Sequence, residues 1–169
     1  MGMLPCKLIV SVLLPLLIFT NPCFSTLVAS WGFEDGVDST QAADLSGYGT
    51  PSDGVLLGDA HILNDSQRGL VLRVGKVMGG RVYCGNDSKL TNSQAITVAA
   101  WIKVANPGAT DWQLIAAKGE FSSWRLFVTG GSLIWICTDA SGTNDWSNMH
   151  IVGGSIADGN WHHVAATYE

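Results

Sequence analysis

Acidic residues are the first candidates for catalysis. Hydrolysis of a glycosidic bond, for example, needs two carboxyl groups, one on each side of the bond. The chain has three glutamates, Glu34, Glu120 and Glu169, and they lie far apart in the sequence. Asp35 directly follows Glu34, and neighbouring residues of an extended strand point to opposite faces. The acidic pattern therefore predicts no catalytic carboxylate pair, and we expect the protein not to be an enzyme.

Two adjacent histidines, His162 and His163, are also candidates for metal binding or acid–base chemistry. Adjacent side chains on a strand face apart, so the pair is unable to bind one metal ion together. A zinc site would need further His or Cys ligands at a suitable spacing. We expect one histidine to pack or hydrogen-bond inside the protein and the other to face solvent.

A polar loop at residues 44–49 is suited to a divalent cation. Calcium takes six to eight oxygen ligands, often backbone carbonyls with one or two carboxylates. The loop offers the Asp44 carboxylate, a serine hydroxyl and carbonyls next to glycines, and Glu34 and Asp53 are near in sequence. The predicted metal ligands are therefore Asp44, Glu34 and Asp53. The alternative is a solvated turn in which Asp44 accepts hydrogen bonds from its own backbone.

Two of the seven tryptophans lie in polar loops. Trp146 stands beside Asn144 and Asp145, and Trp112 ends a comparable stretch. An indole has a large apolar body and a polar N–H, and beside amides it is suited to stacking on a sugar ring. The predicted ligand-binding residues are therefore Trp112, Trp146, Asn144 and Asp145. The alternative is that both indoles fold back as lids over the core.

The amino terminus has the pattern of an export signal. Lys7 precedes an apolar run at residues 8–19, and the small residue Ser25 follows. This pattern is typical of a secretory signal peptide, so we assign residues 1–25 to one and predict a secreted protein without a membrane span after its removal. A retained membrane anchor is the alternative, although the run is short for a bilayer. The formal charge of −5 argues against a nucleic-acid partner.

Cys84 and Cys137 are the two cysteines that follow this leader. An even count in an oxidising compartment predicts one disulfide between them, worth roughly 3–5 kcal/mol in the chain-entropy account. Two buried thiols are the alternative.

The segments that position these residues have the sequence patterns of β-strands. Residues 95–104 alternate with a period of two, with one wholly apolar face and one largely apolar face, which predicts a central strand covered on one side by a second sheet and partly covered on the other. No segment has a sustained helical period with a cap and a stop. Many short strands with glycine-rich turns predict an all-β, two-sheet antiparallel β-sandwich. The other predicted strands are residues 27–33, 55–57, 61–63, 70–74, 81–84, 112–117, 124–129, 132–138, 150–152 and 161–168.

Several motifs appear in a characteristic order. They are Trp31-Gly32-Phe33-Glu34, the loop at residues 44–49, the strand at 96–103, the segment at 114–119 and the closing stretch at 158–168. This order resembles the laminin-G-like jelly-roll domains of the concanavalin A-like lectin/glucanase superfamily. The most specific part is Gly159-Asn160-Trp161-His162-His163-Val164-Ala165.

The resemblance implies one jelly-roll domain at residues 26–169, with Trp31, Trp101 and Trp161 at core positions. It also implies a calcium ion near the loop at 44–49. The family pattern continues with returning strands, so we expect a C-terminally truncated domain.

The resemblance also implies a function, namely a secreted, non-catalytic module that binds a glycan or an extracellular protein. The alternatives are an ancillary or divergent domain of a secreted glycoside hydrolase, or a purely structural domain of a larger surface protein.

Overall fold

The computed structural model describes residues 25–75, 79–91, 95–104, 112–119, 123–137 and 150–168. These residues form antiparallel strands and one 3₁₀ turn, Ser88–Leu90. The strands are β1 (Gln41–Ala42), β2 (Gly54–Leu57), β3 (His61–Asp65), β4 (Gly69–Arg73), β5 (Arg81–Tyr83), β6 (Ile96–Lys103), β7 (Gln113–Lys118), β8 (Trp124–Thr129), β9 (Ser132–Cys137), β10 (His150–Ser155) and β11 (Trp161–Tyr168).

The main core lies between a four-stranded sheet and a strand pair. The sheet has the order β10-β9-β8-β7, and β6 pairs with β11 along the full length of both strands. Side chains from both layers meet in one apolar cluster, which gives the sandwich arrangement. Its buried members include Leu126, Val128, Leu133, Trp135, Val164 and Ala166.

A second, smaller cluster forms among the strands of the amino-terminal half. The sheet β1-β2-β5 and the hairpin β3-β4 supply its buried residues, Ala42, Leu56 and Ile62. Trp31 and Phe33 pack against it from the segment before β1. Trp31 is also anchored through its indole Nε1, which donates to the Ser52 carbonyl at 2.9 Å.

The predicted all-β antiparallel class is confirmed, and most predicted strands are present within one or two residues at each end. The turn between β8 and β9 is the predicted Gly130-Gly131 pair, with φ of 55° and 80°. Such left-handed angles suit a two-residue hairpin and favour glycine. Within the described residues the strands form four hydrogen-bonded sheets rather than two.

Two predictions about elements are wrong. Residues 27–33 form no strand and contribute one isolated bridge, between Trp31 and Asp44. Trp101, on the second face of β6, was expected at a core position but is 51% exposed and is not a core residue. The apolar face of β6 does pack against the main core, as the period of two predicts.

The predicted signal peptide lies outside the described residues, except for Ser25. Across the described ranges, no helix is long and apolar enough to span a membrane.

Candidate functional site

Asp44 is the most heavily hydrogen-bonded side chain of the predicted metal set. Its Oδ1 accepts the N–H groups of Ser30 and Ser46, each at 3.0 Å. Its Oδ2 accepts the Ser52 N–H at 2.9 Å and the Lys89 ammonium at 3.0 Å. The Ser46 bond is the local turn that the sequence offers as an alternative to a metal site. The carboxylate thus receives four donors and joins three separate segments of chain.

These bonds control the ionisation of Asp44. Burial alone would raise the pKa of this carboxyl, because the charged form loses water. The N–H groups of Ser52, Ser46 and Ser30 and the Lys89 ammonium outweigh that effect and hold the pKa well below its usual range. Asp44 is therefore an ionised, buried carboxylate at neutral pH.

The arrangement around Asp44 does not fit a calcium ion. Calcium needs oxygens with available lone pairs, whereas both Asp44 oxygens already accept two donors. Asp53 Oδ1 accepts the Asp44 N–H at 2.8 Å, and Glu34 is exposed to solvent. In the parts of the chain that the structure describes, no three His, Cys, Asp or Glu side chains come together as a metal site.

An open cavity lies on the outer face of the four-stranded sheet. It measures about 350 Å³ and is lined by Trp112, Leu114, Arg125 and Phe127. Small-molecule sites typically occupy ~300–1,000 Å³ and combine apolar walls with a few polar groups. The volume falls within that range, and the lining combines three apolar side chains with one cationic side chain.

Trp112 forms the most prominent wall of this cavity. Its ring stacks on Phe127 with centroids 4.6 Å apart and planes within 9°. Phe127 is buried, whereas Trp112 is 55% exposed and the neighbouring Leu114 is 63% exposed. A buried ring thus supports an exposed one, which orders the exposed indole before any ligand arrives.

The sheet register explains why these side chains meet. Leu114 on β7 lies opposite Phe127 on β8, and Arg125 lies two residues before Phe127 on the same face. The alternating residues of β8, Leu126 and Val128, point into the main core. Arg125, Leu114 and Phe127 were missed from the sequence, although the alternation of β8 contained the signal for two of them.

The remaining predicted ligand-binding residues, Asn144, Asp145 and Trp146, lie outside the described residues. Of the predicted set, only Trp112 is therefore placed in the structure.

The predicted Cys84–Cys137 disulfide is not formed in the structure. Cys84 follows β5 in the amino-terminal half, whereas Cys137 ends β9 within the main core. The two cysteines thus belong to different sheets. Burial, together with the negative charge of Asp44, raises the pKa of the Cys84 thiol to about 11.

The two histidines face apart as predicted. His163 is exposed and lies against Trp101, with ring centroids 5.2 Å apart. His162 Nε2 lies 2.8 Å from Asp158 Oδ1. This bond, with those from Asn160, lowers the pKa of Asp158. The pair therefore fixes a turn and an aromatic contact and does not assemble a shared metal site.

Comparison with known proteins agrees with this architecture. A laminin G family model of the concanavalin A-like lectin/glucanases superfamily matches residues 78–169, just over half of the chain. The match includes β5 to β11 and therefore both layers of the main core and every residue of the cavity.

The fold and this match define the protein as an antiparallel β-sandwich of the laminin G type. The chain belongs to the concanavalin A-like lectin/glucanases superfamily. Neither the curated proteins nor the solved structures gave a significant match.

Proposed function

We propose that the protein is a secreted, non-catalytic module that binds a glycan in the cavity beside Trp112. The observation that supports the proposal most directly is the exposed indole stacked on a buried phenylalanine at the wall of that cavity. The apolar faces of sugar rings pack against such platforms, and a ring already held in place loses little entropy on binding.

The polar part of recognition falls to Arg125, which lines the same cavity. Its guanidinium carries N–H donors in a fixed planar arrangement, suited to sugar hydroxyls or to a sugar carboxylate. One aromatic platform with one directional donor group is a minimal arrangement for orienting a sugar. The predicted residues Asn144, Asp145 and Trp146, which lie outside the described residues, remain part of this proposal.

The non-catalytic part of the proposal rests on how two carboxylates of the amino-terminal half, Asp35 and Asp44, are used. Asp35, which follows Glu34, accepts the Ala43 N–H at 3.1 Å and 3.3 Å through its two oxygens. Asp44 is saturated by four donors. Both groups therefore stabilise the backbone instead of standing ready to exchange protons with a substrate.

A glycan array probed with the purified protein, followed by calorimetry on the glycan bound most tightly, tests the proposal. Trp112→Ala should reduce affinity at least about fivefold, because the comparable stacking of a nucleic-acid base on an aromatic ring is worth ~1–3 kcal/mol. The variant should remain folded, with a loss of stability similar to that of Trp101→Ala, since more than half of each side chain is already exposed.

Trp101→Ala is the matched control for this experiment. Trp101 is 51% exposed, close to the value for Trp112, but lies on β6 and away from the cavity lining. The control should keep the wild-type affinity. Equal loss of affinity in both variants, or no loss in Trp112→Ala, would refute the cavity as the binding site.

A further inference from the structure

The ammonium group of Lys89 is surrounded by three oxygens from residues 44–50, which include the loop predicted to bind calcium. Its Nζ lies 3.0 Å from Asp44 Oδ2, 3.2 Å from the Tyr48 carbonyl and 2.7 Å from the Thr50 carbonyl. An ammonium group has three N–H donors. Each of them has an acceptor here.

The same three oxygens make a donor set typical of a hard cation, one carboxylate and two carbonyls. The lysine tip is almost fully covered, with 9% of its side chain exposed, and the Asp44 side chain is completely covered. A metal ion would have to displace the ammonium from these oxygens, and the displaced ammonium would repel the ion if it stayed nearby. The position is therefore already filled by a cation that belongs to the chain.

Lys89 lies 45 residues after Asp44, on the 3₁₀ turn Ser88–Leu90. That turn is itself held to the four-stranded sheet. Lys118 on β7 donates to Asn86 and to the Asp87 carbonyl, and the Trp124 indole on β8 donates to the Leu90 carbonyl at 3.0 Å. The ion pair thus connects the loop of the amino-terminal half to the sheet that carries the cavity.

We propose that Lys89 is the built-in cation of this loop. Its ammonium orders residues 44–50 and ties them to the four-stranded sheet, and the protein therefore needs no divalent cation there. This inference is independent of glycan binding and concerns how the fold is held.

Thermal unfolding in calcium and in chelator gives the first test. The melting temperature of the wild-type protein should be the same in EDTA and in millimolar calcium. Lys89→Met, which keeps most of the side-chain length and removes the charge, should lower the melting temperature by several degrees. This loss should exceed that of Lys103→Met, a control at an exposed lysine, because Asp44 is left as a buried, uncompensated carboxylate.

A chelator-induced drop in the wild-type melting temperature would overturn the proposal. So would a Lys89→Met protein as stable as Lys103→Met. Failure of Lys89→Met to fold, with Lys103→Met folded, would instead support it.

Native-state acetylation of lysines provides a second test that needs no variant. Lys89 should react at least about tenfold more slowly than the exposed Lys103, since its amine is covered and fully hydrogen-bonded. The ratio of the two rates, measured by mass spectrometry, should be the same with and without calcium. Faster labelling of Lys89 in calcium would show that the metal displaces the amine and would overturn the proposal.

Discussion

At the scale of single residues, the buried carboxylate of Asp44 holds separate segments of the chain together. Asp44 receives N–H groups from Ser30, Ser46 and Ser52 and the Lys89 ammonium. A charge in this position is stable only because every lone pair has a partner. The residue type and the glycine-rich loop suggested calcium, but the contacts assign the same oxygens to the protein itself.

Acid should destabilise the protein through Asp44. The pKa of this group is lower in the folded state than its usual value of about 3.9, so its contribution to stability is present above that pH and is lost as the pH falls below it. Melting temperatures measured between about pH 5 and pH 2 should therefore fall more steeply for the wild type than for Asp44→Asn.

Asp44→Asn should also be the less stable protein at pH 7, because the amide keeps the shape but accepts fewer of the four bonds. Asp65 and Asp158 also have lowered pKa values and add a slope common to both proteins. The difference between the two curves isolates Asp44. Parallel curves for the two proteins would contradict this role.

Sequence reasoning found Asp44 but not Lys89, and the reason is physical. Asp44 is followed within a few residues by glycines and serines, and this local composition indicates a turn from the sequence alone. Its cationic partner comes from 45 residues further along and belongs to no motif, so only the folded chain brings the two together.

At the scale of elements, β6 shows that an alternating pattern predicts a strand and its apolar face but does not predict what packs on the other face. The period of two identified the strand and its apolar face correctly. It gave no information on what covers the other face. In the structure the tip of the β3-β4 hairpin reaches that face, where the Arg68 guanidinium lies 3.3 Å from the Trp101 ring centroid.

This contact is a clamp between a hairpin and a strand pair. Asp65, at the end of β3, accepts the Trp161 indole N–H at 3.3 Å beside it. A cation over an indole contributes about 0.5–1 kcal/mol at an exposed site. The clamp therefore orients the hairpin and adds modestly to stability.

Trp101→Ala should accordingly destabilise the protein by only about 1–2 kcal/mol, the sum of partial burial and the cation contact. Trp124→Ala should cost about 3–5 kcal/mol, because this tryptophan is 8% exposed and packs in the main core. Urea denaturation of both variants measures the difference. Equal losses would mean that Trp101 is a core residue after all.

The strands themselves were predictable because their signals are short-range. Alternation located β8, β9 and β11, and the Gly130-Gly131 pair located the turn between the first two. The short strand β1 was missed, because Gln41–Ala42 carries no pattern and is a strand only through its pairing with β2. The cavity was missed in part for the same reason, since its walls come from two strands.

At the scale of the whole molecule, the described residues form two main apolar cores, and a third small cluster, Phe127, Ile134 and Ile136, is buried on the other face of the four-stranded sheet. The larger one, between the four-stranded sheet and the β6–β11 pair, lies within the segment that matches the superfamily. The smaller one is formed by residues 31–82, which lie almost wholly before that segment. The Asp44–Lys89 ion pair joins residues from these two parts.

This division also separates the two proposed roles. The cavity beside Trp112 is built entirely on the four-stranded sheet, whereas the ordered loop at residues 44–50 belongs to the amino-terminal half. Loss of the ion pair should therefore lower stability, and loss of the Trp112 ring should lower affinity.

The most direct test of glycan binding is a titration followed by NMR of the tryptophan indole N–H signals, using the glycan that the array selects. The Trp112 signal should shift with saturation. The signals of Trp31 and Trp124, whose indoles donate to the Ser52 and Leu90 carbonyls, should stay in place. A saturating shift of the Trp101 signal with Trp112 unchanged would contradict the account.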